Sequence, residues 1–117
     1  MNDYINLGIS LISVKKFENR PYERNLNYYK KIFNNDEIEY CKKFKNSYER
    51  FAGKYAVKDA TVKALDKKIP LKSIITKHQN SKPIVSVINL SNFIFSVSLS
   101  HENNYAIAIV LCTNFNY

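Results

Sequence analysis

Asp59 and Lys63 stand four residues apart in the run "RFAGKYAVKDATVKAL", residues 50–65. A carboxylate and an ammonium at that spacing meet on one side of a helix. Two chemistries are open to them. The pair can be a rim contact that ties two helical turns together, worth about 0.3–0.5 kcal/mol when exposed. It can also be a site, because a hard divalent cation needs oxygen ligands and a phosphate needs a cation or backbone amides. At about 100° per residue, Phe51, Tyr55, Val62 and Leu65 form one edge of an apolar arc. Ala52, Ala56 and Ala60 form the other edge, and Asp59 and Lys63 fall between them beside small side chains. Periodicity leaves both readings open.

The elements that must position the pair follow from patterning. Residues 5–14, "INLGISLISV", alternate as a strand with Ile5, Leu7, Ile9 and Leu11 on one face. Asn6, Gly8, Ser10, Ile12 and Val14 occupy the other face, and both faces read as partly covered. Pro21 limits the next segment to short helical pieces. Asn35 is the expected cap of a helix over 36–47, with Asp36 and Glu37 favoured in its first turn, and a second helix spans 49–65. Short strands are expected at 71–77 and 83–89 around the polar turn "HQNSKP". Residues 92–100 and 105–112 read as an antiparallel hairpin across "HENN". Strand, helices, then strands make an α+β fold.

Bulk properties narrow the function. A chain of 117 residues, 45% hydrophobic and 24% charged, forms one domain over 1–117. A formal net charge of +8 calls for an acidic partner: nucleic acid, anionic lipid, a phosphorylated small molecule or an acidic protein. Two glycines exclude a Gly-rich phosphate loop. Cys41 and Cys112 show no zinc spacing and read as buried free thiols of a cytoplasmic protein. No run approaches the roughly 20 apolar residues that cross a bilayer.

The segment at 50–65 resembles the central motif of the holo-acyl-carrier-protein synthases, the small phosphopantetheinyl transferases. "LGISLISVKKF" is similar to that family's N-terminal segment and "SVSLSHENNYAIAIV" to its C-terminal one. "QNSKPIV" stands where the family has an Asn-Gly-Lys-Pro turn. The resemblance implies a phosphopantetheinyl transferase fold, usually a homotrimer with active sites between subunits. It implies Mg²⁺-dependent transfer of phosphopantetheine from coenzyme A to a serine of an acidic acyl carrier protein. Neither nucleic acid nor a membrane is then a partner.

Mapped by motif, Asp59 takes the metal-binding position and Lys63 that of the lysine near the pyrophosphate, and these two are the catalytic candidates. Lys58, Lys63, Lys82, Ser100 and His101 are the coenzyme A candidates, and Lys15, Lys16, Arg20 and Arg24 face the carrier protein. The pattern breaks where the family's metal-binding Asp in the first strand becomes Ser10, where Asp59 replaces a longer Glu as the second ligand, and where "LDKKIP" and Ser81 replace turn glycines. A neutral hydroxyl is a weak ligand for Mg²⁺. The break opens a second reading, a catalytically weak relative that binds carrier protein or coenzyme A. The charge and the sixteen Tyr and Phe leave a third, a basic module that stacks single-stranded nucleic acid.

Overall fold

The structure is a computed structural model and describes residues 4–114. Strand β1 (Tyr4–Ser13) is followed by helices α1 (Lys15–Glu18), α2 (Leu26–Ile32), α3 (Asn35–Lys42) and α4 (Ser47–Leu65). A hairpin of β2 (Ile74–Gln79) and β3 (Lys82–Val87) and a second hairpin of β4 (Phe93–Glu102) and β5 (Tyr105–Asn114) complete the chain. The larger sheet is antiparallel in the order β1-β5-β4, and β2-β3 forms a separate two-stranded sheet. The α+β expectation holds.

Helix α4 lies across the inner face of the larger sheet and is walled in on nearly every side. Eleven of its nineteen residues are buried, including Lys54 and Lys58 as well as the alanines. That is why its amphipathic pattern is weak: a helix covered all round has no solvent half to mark. Asp59 and Lys63 do not point into the core. They emerge along the strip left open beside the edge strand β1.

The inner face of β1 carries its small and polar residues. Asn6 donates to the Ala64 carbonyl at 3.0 Å, and a Cβ placed on Gly8 would lie 1.9 Å from the Ala60 oxygen. Only glycine admits the helix this close. Gly8→Ala is expected to destabilise the protein by about 3 kcal/mol, because the colliding atoms are backbone and cannot rotate away. Urea unfolding checks it, and a loss under about 1 kcal/mol would mean that helix and strand are free to separate. Ile5, Leu7, Ile9 and Leu11 lie on the outer face, 60–68% exposed, so one face is covered and the other is not.

Pro21 interrupts the first helical region as expected, leaving α1, a 3₁₀ turn at Tyr22–Arg24, and α2. These pieces dock through rings: Tyr29 packs edge-on to Phe51 with centroids 4.8 Å apart, and Phe17 contacts Tyr29, Phe33 and Phe51. The cap of α3 is Asn34, not Asn35. Its side chain accepts from the Glu37 amide while Glu37 accepts from the Asn34 amide, and Asn35 begins the helix. Leu71–Ser73 forms a 3₁₀ turn before β2. In the β2–β3 turn, Asn80 and Ser81 both take positive φ, 52° and 66°, so the tight two-residue turn survives without glycine.

Candidate functional site

Three side chains meet at the β1 edge of α4. Ser10 Oγ donates to Asp59 Oδ2 at 2.7 Å. Lys63 Nζ stands 3.2 Å from the same oxygen and donates to the Ile9 carbonyl at 3.0 Å. Ser10 is buried, whereas the Asp59 and Lys63 side chains are 31% and 54% exposed. The pair is therefore neither locked in the core nor loose in solvent. The ammonium is aimed by a backbone carbonyl and a carboxylate together, and it remains reachable.

This donor set does not fit a protein-held Mg²⁺. One carboxylate is present, and one of its oxygens already accepts a hydroxyl and an ammonium. Ser10 donates to Asp59 instead of offering a second negative ligand. Among the described residues no group of three or more His, Cys, Asp or Glu could hold a metal. Glu49 and Glu102 do not fill the gap: Glu49 lies by His101, and Glu102 ends β4 on the far edge of the sheet.

A second constellation lies at that far edge. His101, near the end of β4, packs over Gly53 of α4, whose missing Cβ leaves space for the imidazole. Tyr40, Phe44, Arg50, His78, Leu99 and His101 line most of a cavity of about 510 Å³. Among the described residues, Arg50 Nε, His78 Nδ1 and His101 Nδ1 are buried and lack a hydrogen-bond partner, and His101 Nδ1 lies 3.7 Å from Glu49 Oε1. Buried polar atoms are normally satisfied, so a cavity bordered by Arg50, His78 and His101 suits a polar ligand or water. Burial holds His101 below the usual histidine range, Glu49 pulls it back up and Arg50 lowers it further. Burial also lowers His78, helped by Lys54 and Arg50.

The two constellations sit on opposite edges of the β1-β5-β4 sheet, about two strand spacings (~10 Å) apart with α4 between them. Within one chain His101 does not join Asp59 and Lys63.

Several expected residues are placed elsewhere. Lys58 is no phosphate ligand: its Nζ is fully buried, 2.8 Å from Glu37, and donates to the Ile32 and Leu71 carbonyls. All three of its protons are engaged, so it pins α4 to α3 and to the loop before β2. Ser100 alternates to the outer face of β4 and cannot share the cavity with His101. Lys82 is exposed between Ser81 and Pro83, both of which line the cavity. Lys15, Lys16, Arg20 and Arg24 are exposed on α1 and the turn after it, with Arg20 over the Tyr28 ring and Lys16 over Tyr55. Arg50 and His78 went unassigned in the sequence. Arg50 opens the central motif, which was a signal. His78 belongs to the run read as a polar turn but ends up in β2, stacked on Tyr40 with centroids 4.6 Å apart beside the cavity.

Both cysteines are buried free thiols, with Cys41 pushed up to about 12 and Cys112 to about 11 by burial. No helix among the described residues is long and apolar enough to cross a membrane.

The small antiparallel sheet crossed by one long helix is a phosphopantetheinyl transferase fold, shared with solved holo-synthases. The profile of the 4'-phosphopantetheinyl transferase superfamily matches residues 6–110. A holo-[acyl-carrier-protein] synthase of Thermodesulfovibrio yellowstonii is 34% identical over 113 residues, spanning 92% of this chain and 96% of that protein. One from Mycoplasma mycoides is 33% identical, spanning 91% and 92%. The chain belongs to the holo-[acyl-carrier-protein] synthase family and is a transferase. Among solved structures, the Bacillus anthracis synthase in complex with CoA (3',5'-ADP) superposes with a TM-score of 0.82 at 22% identity, covering 97% of this chain and all of that one. The Helicobacter pylori synthase in complex with coenzyme A gives 0.80 at 24% identity, covering 91% and 98%.

Proposed function

We propose that this chain moves the phosphopantetheine arm of coenzyme A onto a serine hydroxyl of an acidic acyl carrier protein. The observation that carries the reading is the cavity of about 510 Å³ that brings Arg50, His78 and His101 together. It has the size that a phosphorylated nucleotide requires, with Arg50 as a fixed cation and two imidazoles that can take up protons when an anion binds. In the transfer, the serine oxygen forms a bond to the β-phosphorus while the bond from phosphorus to the bridging oxygen breaks. Adenosine 3′,5′-bisphosphate leaves with the electron pair, and the serine proton passes to Asp59 Oδ1. That oxygen takes no hydrogen bond among the described residues. Lys63 faces the charge that develops on the diphosphate. Lys15, Lys16, Arg20 and Arg24 form the exposed basic surface for the carrier. The buried thiols suit a reducing cytoplasm.

The active unit is a homotrimer in this reading. Ile5, Leu7, Ile9 and Leu11, with Ile94, Tyr105 and Ile109, spread an exposed apolar face over the outer side of the sheet. Isolated domains seldom leave such a face to water. Assembly on it also lets the Asp59 edge of one subunit meet the His101 edge of its neighbour. Light scattering should give three times the 13.7 kDa chain mass, and Leu7→Asp should give monomers without transfer activity. A monomeric wild-type protein with full activity would refute the shared site.

The decisive test is mass spectrometry of a native carrier protein after incubation with coenzyme A and this protein. A phosphopantetheine adduct is expected. Binding of coenzyme A without any adduct would favour the second reading, a weak or inactive relative, which the Ser10–Asp59 hydrogen bond supports.

A phosphate in the cavity should pull both lowered histidines back up, so binding takes up protons and tightens as pH falls from about 8 toward 6. Calorimetry in buffers of different ionisation enthalpy reads the uptake, and His101→Gln should reduce it. Uptake unchanged in that variant would remove His101 from the phosphate site. Folding has the opposite sign. The histidines titrate below their unfolded value of about 6.5, so their contribution is complete above that pH and declines as pH falls toward the folded values.

A further inference from the structure

Where the family resemblance calls for a second carboxylate, this chain has a hydroxyl that ties Asp59 down, and where it calls for turn glycines it has lysines. We infer that the diphosphate of coenzyme A is neutralised by the chain's own ammonium groups, Lys63, Lys67 and Lys68, and not by a divalent ion held between protein carboxylates. The inference rests on the transferase reading above.

Three observations support it. The Lys63 ammonium is fixed by the Ile9 carbonyl and Asp59 Oδ2, so its charge is positioned before any ligand arrives. Helix α4 ends one turn later at Asp66, which takes a left-handed conformation (φ 53°) and donates its amide to the Val62 carbonyl. That cap turns the chain so that Lys67 and Lys68 come beside Lys63 in a cleft of about 280 Å³, walled by Val62 and Asp66. Three cations then face one carboxylate in the same cleft. A diphosphate beside three ammonium groups gains charge-assisted hydrogen bonds without a metal. The competing role for these lysines is complementing the negative end of the helix dipole. It predicts lost stability with unchanged affinity for coenzyme A.

Two measurements decide between them. First, Mn²⁺ is titrated into the free protein and followed by electron paramagnetic resonance. Ser10→Asp should bind it at least ~10-fold more tightly than wild type, because two carboxylates then face one another. Wild-type binding as tight as that of the variant would overturn the inference. Second, coenzyme A binding is measured by calorimetry in excess chelator. Wild type should still bind, and Lys67→Met/Lys68→Met should weaken binding by ~10- to 100-fold at unchanged melting temperature. The same fall is expected with dephospho-coenzyme A, which keeps the diphosphate and lacks the 3′-phosphate. Binding abolished by chelation, or a double variant that binds like wild type, would also overturn it. Both readouts are independent of turnover, so a protein that binds as described but modifies no carrier protein would refute the transferase reading alone.

Discussion

Asp59→Asn is expected to lower kcat/KM for phosphopantetheine transfer by about 100- to 1,000-fold while changing stability by less than about 1 kcal/mol. The amide keeps the shape of the carboxylate and can still accept the Ser10 hydroxyl. It carries no charge to aim Lys63, and it cannot take the proton from the carrier serine. The small stability change follows from exposure. The two side chains are 31% and 54% exposed, so solvent screens most of their mutual attraction. Steady-state transfer assays and urea unfolding on the same preparation check both halves. An unfolding loss of 2 kcal/mol or more with proportionate loss of activity would make the pair a structural brace.

Lys58→Met is expected to do the reverse, destabilising the protein by about 3–5 kcal/mol. Lys58 and Glu37 are both almost fully buried, and removing the ammonium leaves a carboxylate without its counter-charge. Glu37 also accepts from the Thr76 amide and hydroxyl at 2.8 and 2.7 Å, so the damage spreads from α4 to β2. Burial already lowers the Lys58 pKa, with Glu37 opposing. The double variant Lys58→Met/Glu37→Leu should recover part of the loss, since no uncompensated charge then remains. Chemical denaturation of the two variants measures this. A single variant within 1 kcal/mol of wild type would mean that water reaches Glu37.

The two predictions separate two lysines that one motif presents side by side. In sequence both Lys58 and Lys63 belong to the run that carries the resemblance, and although only Lys63 stands at i+4 from Asp59, nothing local shows that Lys58 is buried. Five residues advance the helix by about 500° at 100° per residue, which turns Lys63 about 140° from Lys58. The neighbours on those two sides differ. Lys58 meets α3 and the approach to β2, where Glu37 and two carbonyls satisfy it. Lys63 meets the open edge of β1. The sequence reading of an apolar arc failed for the same reason: α4 is covered by elements that follow it and precede it in the chain, so a one-sided helix was the wrong template.

Much of the architecture was legible beforehand. Alternation located β1 and the β4–β5 hairpin, Pro21 broke the first helical region, and polar turns bounded β2 and β3, because these depend on periods and local conformational limits within a few residues. The carboxylate and lysine of the central motif, and the hydroxyl at Ser10, were likewise written in the chain. Only the tertiary structure decided that Ser10 donates to Asp59, that Arg50 and His78 join His101, and that this cavity lies across the sheet from Asp59. The physical reason is range. Propensity and period act over one or two turns of backbone, whereas each of these partnerships closes a loop of at least twenty residues, and only packing determines which side chains arrive together.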